Sequence, residues 1–177
     1  MGAKMTTATV RSVVGREQVP EPIRALHGLD RVDYVDLFAL DTTEATEWSA
    51  EQWARAVLEQ GRTVRRFAFI PWRVLLGLRL GPSSVPGYVH GWSIAAANED
   101  SIRLEATSWL MTCNAVAHVA DGQVLVALFV RYDHSIAGLW WPVLSPVHRR
   151  AMPVILRQGL GSLTSRPARC RPVGAWL

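Results

Sequence analysis

Residues 102–131, IRLEATSWLMTCNAVAHVADGQVLVALFVR, decide the fold. Apolar and polar side chains alternate over Ile102–Leu110 and, less strictly, over Met111–Ala120, and a period of two is typical of β-strands. An Asp-Gly pair at positions 121–122 has the composition of a two-residue hairpin turn, and the apolar strand Val124–Arg131 follows it. The pattern predicts a meander of antiparallel strands, to which a preceding strand over Tyr88–Ala97 adds a fourth.

Two helical segments and one more strand are predicted upstream of this meander. A first strand is predicted over Asp33–Leu40, where apolar side chains occupy at least one face. Ser49 and Gln52 have the spacing of a capping box, so a helix should begin there and end near Gly61. A second helical segment is predicted from about residue 65 to residue 80, with Pro71 in the first turn of its main part.

The last element is a long helix marked by tryptophan and proline. Ser145 and Pro146 form a good N-cap and first-turn pair, Pro153 should kink the helix, and Gly159 and Gly161 should end it. The order of elements predicts an α+β protein of the helix-grip type. In such a fold a curved antiparallel sheet wraps around a long C-terminal helix, here with two shorter helices after the first strand.

The length of the chain, 177 residues, fits one domain with a sizeable core. Residues 1–30 are predicted to be a poorly ordered lead-in, residues 31–162 a single helix-grip domain, and residues 163–177 a basic C-terminal tail. Eight tryptophans are unusual for this length, and most of them are expected in the core, in cavity walls or at interfaces.

The positive charge lies mainly at the two ends of the chain. The net charge is +4, but residues 18–165 carry a net charge of −1. The sequence shows no basic stripe along a helix and no strand face on which aromatic and basic residues alternate. Nucleic acid is therefore not an expected partner. The run Arg166–Arg171 is most simply a solvated terminus, and an electrostatic contact with a membrane or RNA stays open as the alternative.

The sequence predicts neither a metal site nor a cofactor site. His90, His118, His134 and His148 are scattered, without the spacing of metal ligands, and the cysteines at positions 113 and 170 form no framework. Two unpaired thiols and the lack of an apolar signal segment favour a cytoplasmic location. No stretch has the pattern of a membrane span, so of the possible membrane contacts only a peripheral one stays open. The protein is expected to be a monomer or a homodimer.

The last third of the domain resembles a poorly characterised bacterial family. The motifs are Arg-Tyr-Asp at 131–133, Gly-Leu-Trp-Trp-Pro-Val at 138–143, Pro-Val-His-Arg-Arg at 146–150, and Pro153. Related domains occur fused to NAD-binding oxidoreductase-like proteins, but this chain shows no Gly-rich dinucleotide loop. The family looks like part of the helix-grip superfamily of START domains, polyketide cyclases and plant allergen-type carriers, often called SRPBCC-like. The resemblance covers about residues 32–160 and implies a cavity for a hydrophobic molecule, but it carries over no catalytic residue.

One predicted strand face combines polar groups in the way that small-molecule sites do. It carries Glu105, Thr107 and Trp109, with Asn114 and His118 on the next strand. The alternative is that this face points to solvent, where these residues need no functional explanation. Arg131 is expected to form a salt bridge with Asp133 or to contact an acidic ligand group. The full set of candidate cavity-lining residues is Trp92, Glu105, Thr107, Trp109, Asn114, His118, Arg131, Trp140 and Trp141.

Three functions are compatible with these patterns. The first is binding of a hydrophobic or amphipathic small molecule, lipid- or polyketide-like, between the sheet and the C-terminal helix. The second is an enzyme of the cyclase, dehydratase or isomerase type, with Glu105 and His118 as an acid–base pair. The third is an interaction module in which an exposed patch at Trp140 and Trp141 contacts a partner or a membrane surface.

Overall fold

The computed structural model describes residues 8–59, 75–83, 85–120 and 122–165. Within these residues the chain forms one seven-stranded sheet in which all neighbouring strands run antiparallel. The order across the curved sheet is β1-β2-β7-β6-β5-β4-β3. The strands are β1 (Thr9–Val14), β2 (Tyr34–Asp41), β3 (Tyr88–Val89), β4 (Trp92–Ala97), β5 (Ser101–Thr107), β6 (Met111–Ala120) and β7 (Gln123–Tyr132).

The predicted meander is confirmed, with one correction. The strand predicted over Tyr88–Ala97 is divided into β3 and β4 by a tight turn at His90 and Gly91. Both turn residues have positive φ angles, 49° and 86°, which is the backbone conformation of a two-residue hairpin turn. Gly91 adopts this conformation without steric cost because it has no Cβ atom.

The described residues also form helices α1 (Glu21–Arg24), α2 (Ala50–Glu59) and α3 (Ala137–Thr164). Short 3-10 turns lie at Arg16–Gln18 and Ala45–Glu47. The α+β class, with a long C-terminal helix and shorter helices before it, is therefore as predicted.

The capping box at the start of α2 is also confirmed. The backbone N–H of Ser49 donates to Oε1 of Gln52 at 2.9 Å, and the backbone N–H of Gln52 donates to Oγ of Ser49 at 3.3 Å. Two donors that the first turn of a helix leaves unpaired are thereby satisfied. The cap fixes the register in which Trp53, Ala56 and Val57 are buried.

The predicted bounds of the C-terminal helix are wrong. Helix α3 begins eight residues before Ser145, so Ser145 and Pro146 lie inside it, as do Pro142 and Pro153. It also continues past Gly159, which lies against α2 instead of ending the helix. A Cβ atom at position 159 would approach Cγ2 of Val57 to 3.0 Å, so a glycine allows the two helices to approach closely.

The two faces of the sheet are buried against different parts of the chain. One face, here the helix face, packs Leu104, Leu128 and Val130 in the same core as Trp53 of α2 and Trp141 of α3. The other, here the back face, packs Val35, Leu37, Val116 and Phe129 against Val19, Ile23 and Leu29 of the N-terminal segment. The sheet is therefore the middle layer of the protein, and only one of its faces meets the long helix.

This packing corrects the prediction of a poorly ordered lead-in over residues 1–30. Residues 9–14 form edge strand β1 on β2, and Val19 and Ile23 are buried on the back face. Residues 1–7 lie outside the described residues, as does the tail from residue 166 onward. Helix α3 runs to Thr164, two residues beyond the predicted domain end at residue 162.

The second predicted helical segment lies largely outside the described residues, at positions 60–74. Leu75 is still helical, but residues 76–80 are not, and Arg79 forms an isolated antiparallel bridge with Thr107 of β5. Leu76 and Leu78 on either side of Gly77 are buried in the core of the helix face. The predicted helix end at Leu80 is therefore wrong.

The first testable consequence concerns the cap of α2. Replacing Ser49 with alanine should lower the free energy of unfolding by about 1 kcal/mol, because the N–H of Gln52 loses its acceptor. Chemical denaturation monitored by circular dichroism measures this loss. Ser83→Ala in an exposed loop is the control, and an equal effect of both substitutions would contradict the capping role.

Candidate functional site

A cavity of about 50 Å³ lies between the helix face of the sheet and helices α2 and α3. Its walls are almost entirely apolar. Among the described residues that line it, only Asp36 and His148 have ionisable side chains. The apolar side chains that define its shape include Phe38, Val57, Trp92, Leu104, Leu128 and Met152.

Asp36 is the most unusual residue of this cavity. It lies in β2, where strand alternation places Tyr34, Asp36 and Phe38 on the helix face, and its side chain has no exposed surface. The hydroxyl of Tyr34 donates a hydrogen bond of 2.8 Å to Oδ2 of Asp36. The second oxygen, Oδ1, is buried without a hydrogen-bond partner among the described residues. A buried carboxylate with one unpaired oxygen is costly and rare in proteins.

His148 of α3 faces Asp36 across the cavity. Its Nε2 atom lies 3.4 Å from Oδ2 of Asp36, and its side chain is only 5% exposed. The imidazole also contacts aromatic rings on both sides, with centroid distances of 6.0 Å to Phe38 and 6.1 Å to Trp141. Trp141 in turn packs edge-on against Tyr34 at 5.3 Å. The carboxylate and the imidazole are thus enclosed by aromatic side chains.

The spacing of residues in α3 explains how His148 comes to face the sheet. Trp141, Ser145, His148 and Met152 follow one another at steps of three or four residues, and all are buried. Such steps place side chains on one side of an α-helix. The sequence therefore builds an inward stripe that is apolar at both ends and polar at Ser145 and His148.

The electrostatic environment keeps Tyr34 protonated. Burial, and then the neighbouring charge of Asp36, raise the pKa of the Tyr34 hydroxyl above its usual range. Tyr34 is therefore a neutral hydrogen-bond donor at physiological pH. The group of Tyr34, Asp36 and His148 can accept a hydrogen bond from a bound molecule, or exchange a proton with it, inside an apolar space.

Of the nine residues predicted to line a cavity, only Trp92 does so in this one. Glu105 and Asn114 lie on the back face, where the Asn114 amide donates to Oε2 of Glu105 at 3.2 Å. Oδ1 of Asn114 accepts the backbone N–H of Gly28 at 2.8 Å, and Asn114 is completely buried. These contacts hold the N-terminal segment on the sheet.

Glu105 and His118 are too far apart to act as an acid–base pair. In the sheet Glu105 stands opposite Asn114, and His118 stands opposite Ser101. These positions differ by four residues along the strands, or about 13 Å at the rise of an extended chain. Proton transfer between the two side chains would require contact at hydrogen-bond distance.

The other predicted residues are spread over the surface and the core. Thr107 and Glu105 border an open polar groove of about 350 Å³ beside Arg79 and Tyr88. Trp109 is 58% exposed and packs edge-on against His134. Of the tryptophan pair on α3, Trp141 is buried beside the candidate site, whereas Trp140 is 47% exposed.

Arg131 forms the expected salt bridge. Its guanidinium contacts Asp133 at 2.7 Å and Asp30 at 2.8 Å. Desolvation raises the pKa of Asp133, but the hydrogen bond from Thr112 and the charge of Arg131 outweigh it and leave the pKa below its usual value. The network ties the end of β7 to the N-terminal segment through Asp30, which indicates a structural role.

Sequence reasoning did not select Asp36 and His148, although the sequence carries a signal for Asp36. This aspartate lies in a strand between Val35 and Leu37, with Phe38 and Leu40 on its own face. A charged residue on the apolar face of a buried strand is the kind of exception that indicates a functional group. The signal for His148 is weaker, because two arginines follow it directly and resemble a solvated helix surface.

The described parts of the chain hold no cluster of three or more histidine, cysteine, aspartate or glutamate side chains that could bind a metal ion. Cys113 is buried on the helix face, and burial raises the pKa of its thiol to about 12, so it is not a nucleophile at neutral pH. Among the described helices, none is both long enough and apolar enough to cross a membrane.

Comparisons with known proteins leave the family open. No protein-family model matches the chain, and no curated protein matches it. Among solved structures, PA94 from Pseudomonas aeruginosa, described as a protein of unknown function, aligns over 86% of this chain and 85% of its own. The identity is 11% and the TM-score is 0.24, which is too low to support an argument about fold or function.

The second testable consequence concerns the hydrogen bond to Asp36. Tyr34→Phe should lower the free energy of unfolding near pH 7 by about 1.5–3 kcal/mol, the range for hydrogen bonds to charged groups. Tyr132→Phe removes a hydroxyl from another half-buried tyrosine and is the matched control. Urea denaturation of both variants measures the difference, and equal losses would show that the contact with Asp36 contributes nothing specific.

Proposed function

We propose that the protein binds a small hydrophobic or amphipathic molecule in the cavity between the helix face and helices α2 and α3. The observation that carries this proposal is the buried carboxylate of Asp36 in the wall of an otherwise apolar cavity, with Oδ1 unpaired among the described residues. An apolar space with a few polar groups is the usual composition of a small-molecule site. A ligand with a hydroxyl or ammonium group would place that donor on Asp36.

The energetic cost of Asp36 supports a functional role. Burying a carboxylate costs several kcal/mol, and well-packed apolar residues in place of a buried ion pair are often as stable or more stable. The hydrogen bond from Tyr34 and the contact with His148 are both made at Oδ2, and Oδ1 has no hydrogen-bond partner among the described residues. A ligand that donates a hydrogen bond to Oδ1 would give the second oxygen of the Asp36 carboxylate a partner.

The size of the cavity limits which molecules fit without rearrangement. A volume of about 50 Å³ accommodates only a few heavy atoms, whereas pockets for larger ligands measure roughly 300–1,000 Å³. A lipid- or polyketide-like ligand would require α3 to move away from the sheet. Three prolines inside α3 each remove a backbone N–H donor, so this helix has fewer internal hydrogen bonds to hold it rigid.

The resemblance to the helix-grip superfamily supports the same site. In the fold that the resemblance implies, the ligand lies between the curved sheet and the long C-terminal helix, which is where Asp36 and His148 meet. The proposal differs from the sequence-based hypothesis in its residues, because the candidate polar groups are Asp36 and His148 and not Glu105 and His118.

A second candidate function is catalysis of proton transfer at the same site, as in an isomerase, dehydratase or cyclase. The observation that favours it is the distance of 3.4 Å between Nε2 of His148 and Oδ2 of Asp36, both buried. A carboxylate and an imidazole at this distance can act as a general acid and a general base if a substrate enters the cavity. Binding without turnover would leave the first function as the better description.

The third testable consequence concerns occupancy of the cavity. Ala54 of α2 lines the cavity and is buried, so Ala54→Leu should fill part of it and abolish binding. The probes are 1-butanol, 1-hexanol and hexylamine, whose donor groups match Asp36, and hexane, which has no donor group. Thermal unfolding should shift upward with probe in the native protein and stay unchanged in the Ala54→Leu variant, because only an open cavity can be stabilised by a ligand.

Two controls make this experiment decisive. Ala96→Leu adds the same side chain at an exposed position of β4 and should keep the response to the probes. Asp36→Asn should weaken binding of hexylamine by at least about tenfold, because a charged acceptor is lost, while leaving hexane binding unchanged. An unchanged response to every probe in the native protein, or the same response in Ala54→Leu, would contradict the proposed site.

A further inference from the structure

The outer side of α3 carries an apolar stripe with nothing packed on it among the described residues. Its members are exposed and recur at steps of three, four or seven residues, within an arc of about 100° around the helix. Leu139 is 76% exposed and Val143 is 67% exposed, the highest values among the large apolar side chains described. The stripe consists of Ile136, Leu139, Trp140, Val143, Val147 and Val154.

This arrangement differs from that of an ordinary surface helix. A helix that packs on a sheet with one side normally presents charged and polar side chains on the other. Helix α3 instead has an inward stripe at the candidate site and a second apolar stripe toward the outside. The part of the stripe from Ile136 to Val147 is a contiguous exposed apolar patch, and such a patch marks a surface that contacts a partner or a membrane.

The charges on α3 identify the kind of partner. The helix contains three arginines, Arg149, Arg150 and Arg157, and no aspartate or glutamate over its 28 residues. Arg150 and Arg157 are exposed. Arg150 lies within the arc of the stripe, between Val147 and Val154, and Arg157 lies at its edge, three residues beyond Val154. An apolar stripe beside arginines, with a tryptophan at one end, is typical of helices that lie in the interface of an anionic membrane.

We propose that α3 lies along the surface of an anionic lipid bilayer, with its outer stripe in the interfacial region. The stripe from Ile136 to Val154 extends about 27 Å at the rise of an α-helix, so it would lie parallel to the membrane plane. Trp140 would sit at the level of the headgroups, where its ring meets both apolar and polar surroundings. Arg150 and Arg157 would contact the lipid phosphates and carboxylates.

A second copy of the chain fits the stripe less well. Parallel packing of two α3 helices, stripe to stripe, would bring Arg150 and Arg157 of both copies together, and antiparallel packing would place them against a helix that offers no carboxylate to neutralise them. Like charges brought together in an interface disfavour association. An anionic bilayer supplies the missing negative charge, and it also covers apolar side chains along the whole length of the stripe.

This inference does not depend on the proposed ligand site. The outer stripe and the inward residues Trp141, His148 and Met152 occupy different sides of α3. A protein with an empty cavity could still bind membranes, and a ligand-binding protein could lack membrane affinity. The two proposals can therefore fail separately.

Vesicle co-sedimentation of the full chain tests the proposal. The protein should sediment with vesicles of equal parts phosphatidylcholine and phosphatidylserine, and binding to pure phosphatidylcholine should be at least about tenfold weaker. Val143→Asn combined with Val147→Asn should reduce binding to the anionic vesicles at least about tenfold, since two apolar groups leave the interface. Arg150→Gln combined with Arg157→Gln should weaken binding and reduce its salt dependence.

Val85→Asn, an apolar-to-polar exchange at an exposed loop position, is the matched control and should bind as the native protein does. No sedimentation with anionic vesicles would overturn the proposal. Full binding by the Val143→Asn, Val147→Asn variant would also overturn it, because the affinity would then come from elsewhere, such as the basic tail. A native dimer that this double variant converts to a monomer would assign the stripe to a second copy and overturn it as well.

Discussion

The contact of Asp36 with Tyr34 and His148 is the constraint on which the interior of the protein depends. It joins β2, the second strand in the sheet order, to the middle of α3, and it does so through a buried charge in place of an apolar contact. A buried carboxylate requires its partners at defined positions, because a lost partner leaves an uncompensated charge. Together with the packing of Met152, Ile155 and Leu156 against Phe38 and Val57, this contact holds α3 on the sheet beside the small cavity.

The sheet separates structural and candidate functional residues. On its back face polar side chains pair with each other and with the N-terminal segment, as Asn114 does with Glu105 and Gly28. Arg131 and its two aspartates extend the same attachment to the end of β7. On the helix face Asp36 and His148 are the ionisable residues, among those described, in the wall of the apolar cavity. Polar groups that satisfy each other stabilise the fold, whereas an unpaired polar group in an apolar cavity is available to a ligand.

Local patterns predict much of this fold and little of its site. The alternation in β5 and β6 and the capping box at Ser49 are local signals, and they are confirmed. The length of α3 was missed because Pro146 and Gly159 have the usual signs of helix ends, whereas packing against the sheet and α2 holds the helix together across them. Strand β1 was missed because it depends on pairing with β2. The strand residues of the predicted polar face do share one face of the sheet, but it is the back face. Periodicity shows which residues share a face and not which face the helices cover.

Native mass spectrometry of the freshly purified protein beside its Ala54→Leu variant, with organic extraction of any bound compound, tests the central claim most directly. If Asp36 forms the polar end of a ligand site, the native protein should carry a discrete adduct, or take one up from amphipathic alcohols and amines, and the variant should not. A clean mass for the native protein that stays unchanged after incubation with these compounds would contradict the account. The group of Tyr34, Asp36 and His148 would then be a buried structural contact.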